Sequence, residues 1–333
     1  MKRKTCIVIG GGITGLTTAR QLFDSGFQVL VIDKGKGLGG RIASKKLSIR
    51  KAGEGTFDYG AQFFTVTNDI FRPKAHEWLA KGVVKFWAES FENKNPKLAV
   101  SNEPKYCGVT SMRDLSKALG TGLSIRTDTR VLSIERKNDR WNVFTDDHKE
   151  FFANYLVIAT PLPEAMLIIK NSMLSIGNDL HHELSTIPYS QCISVMLGFM
   201  GETNVPEPGG IYLAGDPVAW ITDHKKKGIS PNANTVTIHA SHHYSQANWE
   251  QPYDKLCNDL LVSSREYLPQ DYIYWRIHKW RFSQPRRKFE KEFLQIPEHP
   301  FLYLAGDAFG GPTIEGAYVS GFLCGQDIIK AER

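Results

Sequence analysis

CIVIGGGITGLTTARQLFDSGFQVLVIDKGKGLGGR, residues 6–41, decides the fold of this chain. Its first four residues, Cys6–Ile9, are an apolar run of β-forming side chains, which reads as a buried strand. Gly10, Gly12 and Gly15 then form G-x-G-x-x-G ahead of a helix-compatible stretch from Ile13 to Ser25. The three glycines serve a tight turn, close approach of backbone to a pyrophosphate, and close packing of helix on strand. The N–H groups around Ile13 and Thr14 open the helix and present a partial positive charge to a diphosphate. Ala19 is small where that helix must press on the sheet. A second apolar run, Val29–Ile32, ends in Asp33, an acid placed to accept the hydroxyls of an adenosine ribose, with Lys34 beside it.

The rest of the chain fits a large soluble enzyme. Its 333 residues are 41% hydrophobic and 23% charged, with a formal net charge of +6. The basic clusters Lys225–Lys227 and 286–288 are too short and isolated for nucleic acid, and read as solvated loops or steering for an anionic ligand. Five widely spaced cysteines without a Cys-x-x-Cys argue for free thiols in a reducing compartment, against disulfides or zinc. The basic start before Cys6 is not read as a signal peptide, because glycines interrupt the apolar run at once. With no stretch of the roughly 18–20 apolar residues that a bilayer span needs, a cytoplasmic protein is expected.

Further uninterrupted apolar runs occur at Tyr155–Ala159 and Phe301–Ala305, as expected of strands buried on both faces of a parallel sheet. Between Val29–Ile32 and Tyr155–Ala159, residues 131–155 alternate in short stretches, predicting an antiparallel meander. The first and last parallel strands lie far apart in sequence, so a second domain is expected to interrupt the first. The division is 1–67, 106–160 and 291–333 for the nucleotide domain, and 68–105 and 161–290 for the insert. Candidate linkers are Pro161–Pro163, PEPGG at 206–210 and QPRRK at 284–288.

Gly39-Gly40-Arg41 narrows the cofactor. Nicotinamide dehydrogenases need no Gly-Gly-Arg shortly after the ribose acid, whereas acid-x5-Gly-Gly-Arg recurs in large FAD-dependent oxidases. There the glycines let backbone close over the diphosphate and the arginine pairs with it as a planar fork. Near the other end, Gly306-Asp307 follows a buried strand, and an acid there can hold ribityl hydroxyls. The helix from about Thr313, through Glu315, Gly316 and Ala317, can turn its N-terminus toward the flavin pyrimidine. DYGAQFFT at 58–65 adds Gly60 and Ala61, small enough for backbone to pass a flavin ring, with Gln62 and Phe63 near the cavity. In LVIATP at 156–161, Thr160 turns beside the cofactor, and Val131 is a candidate backbone clamp for adenine.

These motifs, with IHASHHYSQANWE at 238–250, HKWRFSQP at 278–285 and AGDAFGGPTIEGAYVSG at 305–321, resemble the renalase-like branch of the FAD-dependent amine oxidase superfamily over nearly the full length. The resemblance implies an α/β fold with an α+β insert. A Rossmann-type FAD-binding domain of p-hydroxybenzoate-hydroxylase-like topology would carry a second, smaller substrate domain of mixed sheet and helices. It implies FAD held non-covalently, in agreement with the absence of cysteine from 308–314. It also implies oxidation of dihydronicotinamide dinucleotides reduced at ring position 2 or 6, with O2 reoxidising the flavin to give hydrogen peroxide. A dihydropyridine that loses hydride becomes an aromatic cation, so no general base is required; the chain shows no Ser-His-Asp or paired-carboxylate arrangement. Amine oxidation on the same scaffold, and a FAD protein without catalysis, stay open at this point.

For the substrate cavity the candidates are His239, Trp220, Trp280 and Tyr244. A strand-end histidine such as His239 also serves as a hydrogen-bonded structural group, and each tryptophan also reads as core. His239, His242 and His243 lack an acid or cysteine at ligand spacing, so no metal is expected. Arg281 and Lys227 are candidates for a ligand phosphate, Lys227 reading more simply as solvated charge. In WITDHKKKG, residues 220–228, His224 stands where relatives have asparagine and Gly228 where they have proline; Tyr244 stands where tryptophan is common.

Overall fold

The computed structural model describes residues 3–50, 52–96, 98–99 and 101–332. The apolar runs form a six-stranded sheet in the order Phe293–Gln295, Leu302–Ala305, Tyr155–Ile158, Thr5–Ile9, Gln28–Ile32 and Ser124–Arg126. All neighbours are parallel except the first pair. Period-two alternation explains why these runs carry no polar residues. Cys6 and Val8 point into one apolar cluster, Ile7 and Ile9 into another, and both faces are covered. On the first face lie the helix Ile13–Asp24 and the C-terminal helix Ile314–Ala331. These two helices meet through small residues: a Cβ on Gly321 would overlap the Thr14 carbonyl, and the Thr14 hydroxyl donates to the Ala317 carbonyl at 2.8 Å. The expected meander is present as Val131–Lys137, Arg140–Thr145 and Glu150–Ala153, and it closes the other face with Trp141 fully buried.

The second sheet runs Tyr272–Pro285, Tyr189–Phe199, Asn234–Ala240, Val218–Asp223, Gly210–Tyr212 and Glu92–Asn93, antiparallel except for the last pair. Its outer face carries Ile193, Val195, Leu197, Val236, Ile238, Ile221 and Ile277, packed under the helices His242–Ala247 and Tyr253–Ser263. Its inner face turns toward the first domain. The Thr235 and Thr237 hydroxyls donate to the Thr56 and Asp58 carbonyls at 2.8 and 2.9 Å, joining it to the strand Gly53–Asp58.

Packing draws one domain edge elsewhere than the sequence suggests. Pro161 and Pro163 do not form a linker; Pro161 is the N-cap residue of the helix Leu162–Asn171 and Pro163 lies in its first turn, where a missing N–H costs nothing. That helix and the next, Asn178–Ser185, bury Leu162, Ile168, Ile169 and Leu184 with the parallel sheet. Among the described residues, no helix is long and apolar enough to cross a membrane.

Candidate functional site

Four strands of the parallel sheet end together, and the candidate cofactor residues sit at their carboxyl ends: Gly10, Asp33, Thr160 and Gly306. A crevice at this edge is where open α/β sheets bind dinucleotides. Gly10 has φ +113°, and a Cβ there would lie 2.8 Å from the Ala159 carbonyl oxygen. A Cβ on Gly15 would overlap the Gly10 carbonyl, so both glycines are explained by packing within the chain. Gly12 is different. It caps the helix in an ordinary extended conformation (φ −81°), and a Cβ there would meet nothing within 4 Å. The Asp33 carboxylate is fixed at this edge by the backbone N–H groups of Gly11 at 2.5 Å and Gly35 at 2.6 Å. The loop leading to Val131 is laced to Asp33 and Gly35 through Thr129 and Asp128, which brings Val131 to the Asp33 end of the sheet edge. Lys34 leans away, paired with Glu164 at 2.5 Å.

Gly39 and Gly40 take φ +114° and +53°, and so turn the chain sharply over the glycine loop, Gly39 donating to the Gly11 carbonyl at 2.9 Å. Arg41 then pairs with Asp307 and also donates to the Phe282 and Ser283 carbonyls at 3.3 and 3.2 Å. Burial alone would lower the Arg41 pKa, but the Asp307 carboxylate outweighs it and the guanidinium pKa rises. Tyr189, from the second sheet, donates to the other Asp307 oxygen at 3.1 Å. Asp307 thus joins Arg41 to the second lobe. At the start of the C-terminal helix the Thr313 hydroxyl caps Gly316 N–H at 2.9 Å, and Gly316 presses on the Gly310 carbonyl. The Glu315 carboxylate accepts from Thr67 N–H at 2.7 Å, Asn68 N–H at 2.6 Å and the Thr67 hydroxyl at 2.7 Å. Its contacts are protein contacts that tie the helix to the loop after Phe64. Ala317 likewise gives its carbonyl to Thr14.

The turn 58–64 bridges the two lobes. A Cβ on Gly60 would overlap the Arg41 carbonyl, and Ala61 N–H donates to that carbonyl at 2.9 Å, so small residues here serve chain-to-chain contact. The Gln62 carboxamide nitrogen donates to the Asp58 and Gly60 carbonyls at 2.7 and 3.0 Å, while its oxygen is buried without a partner among the described residues. Phe63 joins Trp87, Phe91 and Trp220 in an aromatic cluster that Tyr212 extends. On the inner face of the second sheet, register sets His278, Ser194, His239 and Trp220 in one row and Trp280 beside Cys192 in the next. His239 Nε2 and Trp280 Nε1 lie 3.3 and 2.8 Å from the Tyr59 carbonyl oxygen. A carbonyl can only accept, so His239 Nε2 carries the proton. Burial lowers the pKa of both His239 and His278 to about 4, Lys227 adding repulsion at the first and Lys45 and Arg276 at the second. Both rings are neutral near pH 7. Tyr59 stacks on Trp280 with ring centres 5.5 Å apart.

Several sequence candidates lie elsewhere. Tyr244 is on the helix behind the outer face, its hydroxyl donating to Asp259 at 2.8 Å, and it lines a surface depression with Asp216 and Pro217. Arg281 is exposed and out of phase with Trp280 along the strand. Lys227 is not solvated: its side chain is 0% exposed, 2.7 Å from Asp58, 2.6 Å from the Gln62 carbonyl and 4.6 Å from the Trp87 ring centre. His224 is buried beneath this pair, 2.8 Å from the Thr237 hydroxyl, and burial first, then Lys227, drives its pKa well down. Gly228 has φ +75°, which proline cannot adopt. Asp58, Tyr59, Tyr189, Ser194 and His278 do not stand out as site residues in the sequence. Asp58 and Tyr59 open the DYGAQFFT motif and His278 opens HKWRFSQP, and that placement is the signal that could have found them; Tyr189 and Ser194 carry none.

The residues present fit a flavin dinucleotide. The open space at Gly12 and the orphaned buried oxygens of Thr160 and Gln62 are features that contacts among the described residues leave unexplained. Comparison with known proteins agrees. Residues 8–79 match the family described as NAD(P)-binding Rossmann-like domain, and residues 99–329 match flavin containing amine oxidoreductase. Among solved structures, an Exiguobacterium sp. 255-15 protein provisionally assigned as a protoporphyrinogen oxidase superposes with a TM-score of 0.76 at 13% identity, covering 99% of this chain and 100% of that one. Putrescine oxidase, solved with putrescine bound, gives 0.70 at 12% identity, with 99% of each chain covered. Protein FLOWERING LOCUS D of Arabidopsis thaliana is 37% identical over 65 residues, 20% of this chain but only 8% of that protein.

Proposed function

The chain belongs to the flavin-containing amine oxidoreductase family and is an FAD-dependent oxidoreductase; from that premise we propose that it is a renalase-like oxidase of dihydronicotinamide dinucleotides reduced at ring position 2 or 6. The observation that carries this reading is the charge state of the inner face. His239 and His278 are neutral there, and the acids around the site are already matched. Asp58 faces Lys227, Asp307 faces Arg41 and Tyr189, Glu315 holds Thr67 and Asn68, and Asp33 holds two backbone N–H groups. Among the described residues, no spare carboxylate remains on this face to hold an ammonium ion or to act as a base. A neutral donor that becomes an aromatic cation on losing hydride suits such a surface.

In this reading Gly10, Gly12, Gly15 and the N–H groups of Ile13 and Thr14 hold the diphosphate, with Gly40 and Arg41 above it. Asp33 and Val131 hold the adenosine end, and Thr160, Gly306 and Asp307 the ribityl chain. Bound non-covalently, FAD supplies the two-electron acceptor. Trp220, Trp280 and Phe63 orient a planar ring and exclude water, and His239 offers Nδ1 as an acceptor because Nε2 is committed to Tyr59. The stoichiometry is one dihydronicotinamide, one O2 and one proton giving one oxidised nicotinamide and one H2O2. Amine oxidation is the second reading; the putrescine bound by a structural neighbour favours it. The five free cysteines suit a reducing, cytoplasmic location. Aerobic turnover with 6-dihydro-NAD should release one H2O2 per ring oxidised; absence of peroxide with ring oxidation intact would remove the oxidase assignment.

A further inference from the structure

Lys227 and Asp58 form an ion pair with both side chains 0% exposed, yet they come from different lobes. The pair is matched all round. Asp58 Oδ1 accepts from the Ser44 hydroxyl at 2.5 Å and from Met112 N–H at 3.0 Å, and Lys227 has Asp58, the Gln62 carbonyl and the Trp87 face. Burying two charges costs several kcal/mol per ion before pairing, so stability alone is a weak reason for this arrangement. What the pair does is fix the backbone of Gln62. That side chain is 5% exposed, and its two carbonyl partners settle which end of the amide is nitrogen. The carboxamide oxygen is therefore an acceptor, buried and without a donor among the described residues. Such an atom costs stability unless a ligand supplies an N–H.

We propose that Lys227 is a positioning residue that, braced by Asp58, holds Gln62 so that its carboxamide oxygen receives an N–H of the flavin ring. This rests on FAD binding at the site but not on the identity of the substrate. The ring offers N3–H in both redox states and N5–H only when reduced, and the two sources give different readouts.

The test is a double-mutant cycle on FAD binding, with Gln62→Met as one arm and the neutral pair Asp58→Asn/Lys227→Met as the other. The pair variant removes both charges together, and thermal melting confirms that each variant is folded. Deflavinated protein is titrated with FAD, and the midpoint potential of bound flavin is recorded. If N3–H is the donor, each arm weakens binding of oxidised FAD about tenfold. If N5–H is the donor, binding of oxidised FAD is unchanged and the potential falls by about 30 mV, the equivalent of a tenfold loss for the reduced state. In either case the pair variant has no further effect once Gln62 is Met. Wild-type affinity and potential in both arms overturn the proposal, as does a pair effect undiminished in the Gln62→Met background. Failure of wild-type protein to take up FAD is the separate result that would overturn the cofactor reading.

Discussion

His239→Asn should make the protein less sensitive to acid. In the folded state burial, partly offset by the Tyr59 carbonyl and reinforced by Lys227, lowers the His239 pKa from 6.5 to about 4. The unfolded chain therefore takes up this proton more readily at every pH below 6.5. The stability that neutral His239 contributes is complete above that value and drains away as pH falls toward 4. Relative to pH 7.5, the cost is about 1.4 kcal/mol at pH 5.5 and about 2.5 kcal/mol at pH 4.5. Asparagine has no proton to gain and still offers an N–H to Tyr59. Urea unfolding of the flavin-loaded proteins at pH 7.5, 5.5 and 4.5 reads the difference. Wild type should lose about 2.5 kcal/mol more than the variant between the extremes. Parallel losses would show that His239 is not held neutral by its surroundings.

Gly12→Ala and Gly15→Ala should separate two kinds of glycine. The first adds a methyl that meets no protein atom, so melting of the deflavinated protein should be unchanged while FAD binding is lost; the second should disturb both, since its Cβ overlaps the Gly10 carbonyl. Retention of full FAD affinity by Gly12→Ala would contradict the diphosphate placement. Arg41→Ala removes charge-assisted hydrogen bonds and should weaken FAD binding by about 10- to 100-fold in equilibrium dialysis. Purification with full flavin occupancy would count against it. Lys227→Met leaves Asp58 buried without its counter-charge and should cost about 3–5 kcal/mol in denaturant unfolding, most of it restored by adding Asp58→Asn. A mild effect of the single change would mean that water reaches Asp58.

Much of the nucleotide domain was legible because its signals are local. Cys6–Ile9 and the glycine loop lie within a dozen residues, and a strand covered on both faces shows itself as an unbroken apolar run. The second lobe was harder for reasons of geometry. Whether Trp280 or Trp275 faces the site depends on strand parity, which one sequence does not display; Trp280 is in phase with Cys192 and Trp275 with buried Leu197. Tyr244 looked equivalent to His239 in the motif, but the chain passes from strand to helix at Ser241 and carries it behind the sheet. Lys227 sits in a run of three lysines and so read as solvent charge. Its partner is Asp58, 169 positions away, and no local pattern announces a pair of that kind. Tyr189, which reaches Asp307 from 118 positions away, was hidden for the same reason.

The most direct measurement is anaerobic mixing of the flavin-loaded protein, in separate syringes, with 2- and 6-dihydronicotinamide dinucleotides and with putrescine, following flavin absorbance. A face lined by neutral histidines with its acids already matched should let the dihydronicotinamides bleach the flavin in a single turnover, at a rate flat between about pH 5.5 and 8.5, with no bleaching by the diamine. Rapid reduction by putrescine and none by either dihydronicotinamide would contradict the renalase-like reading.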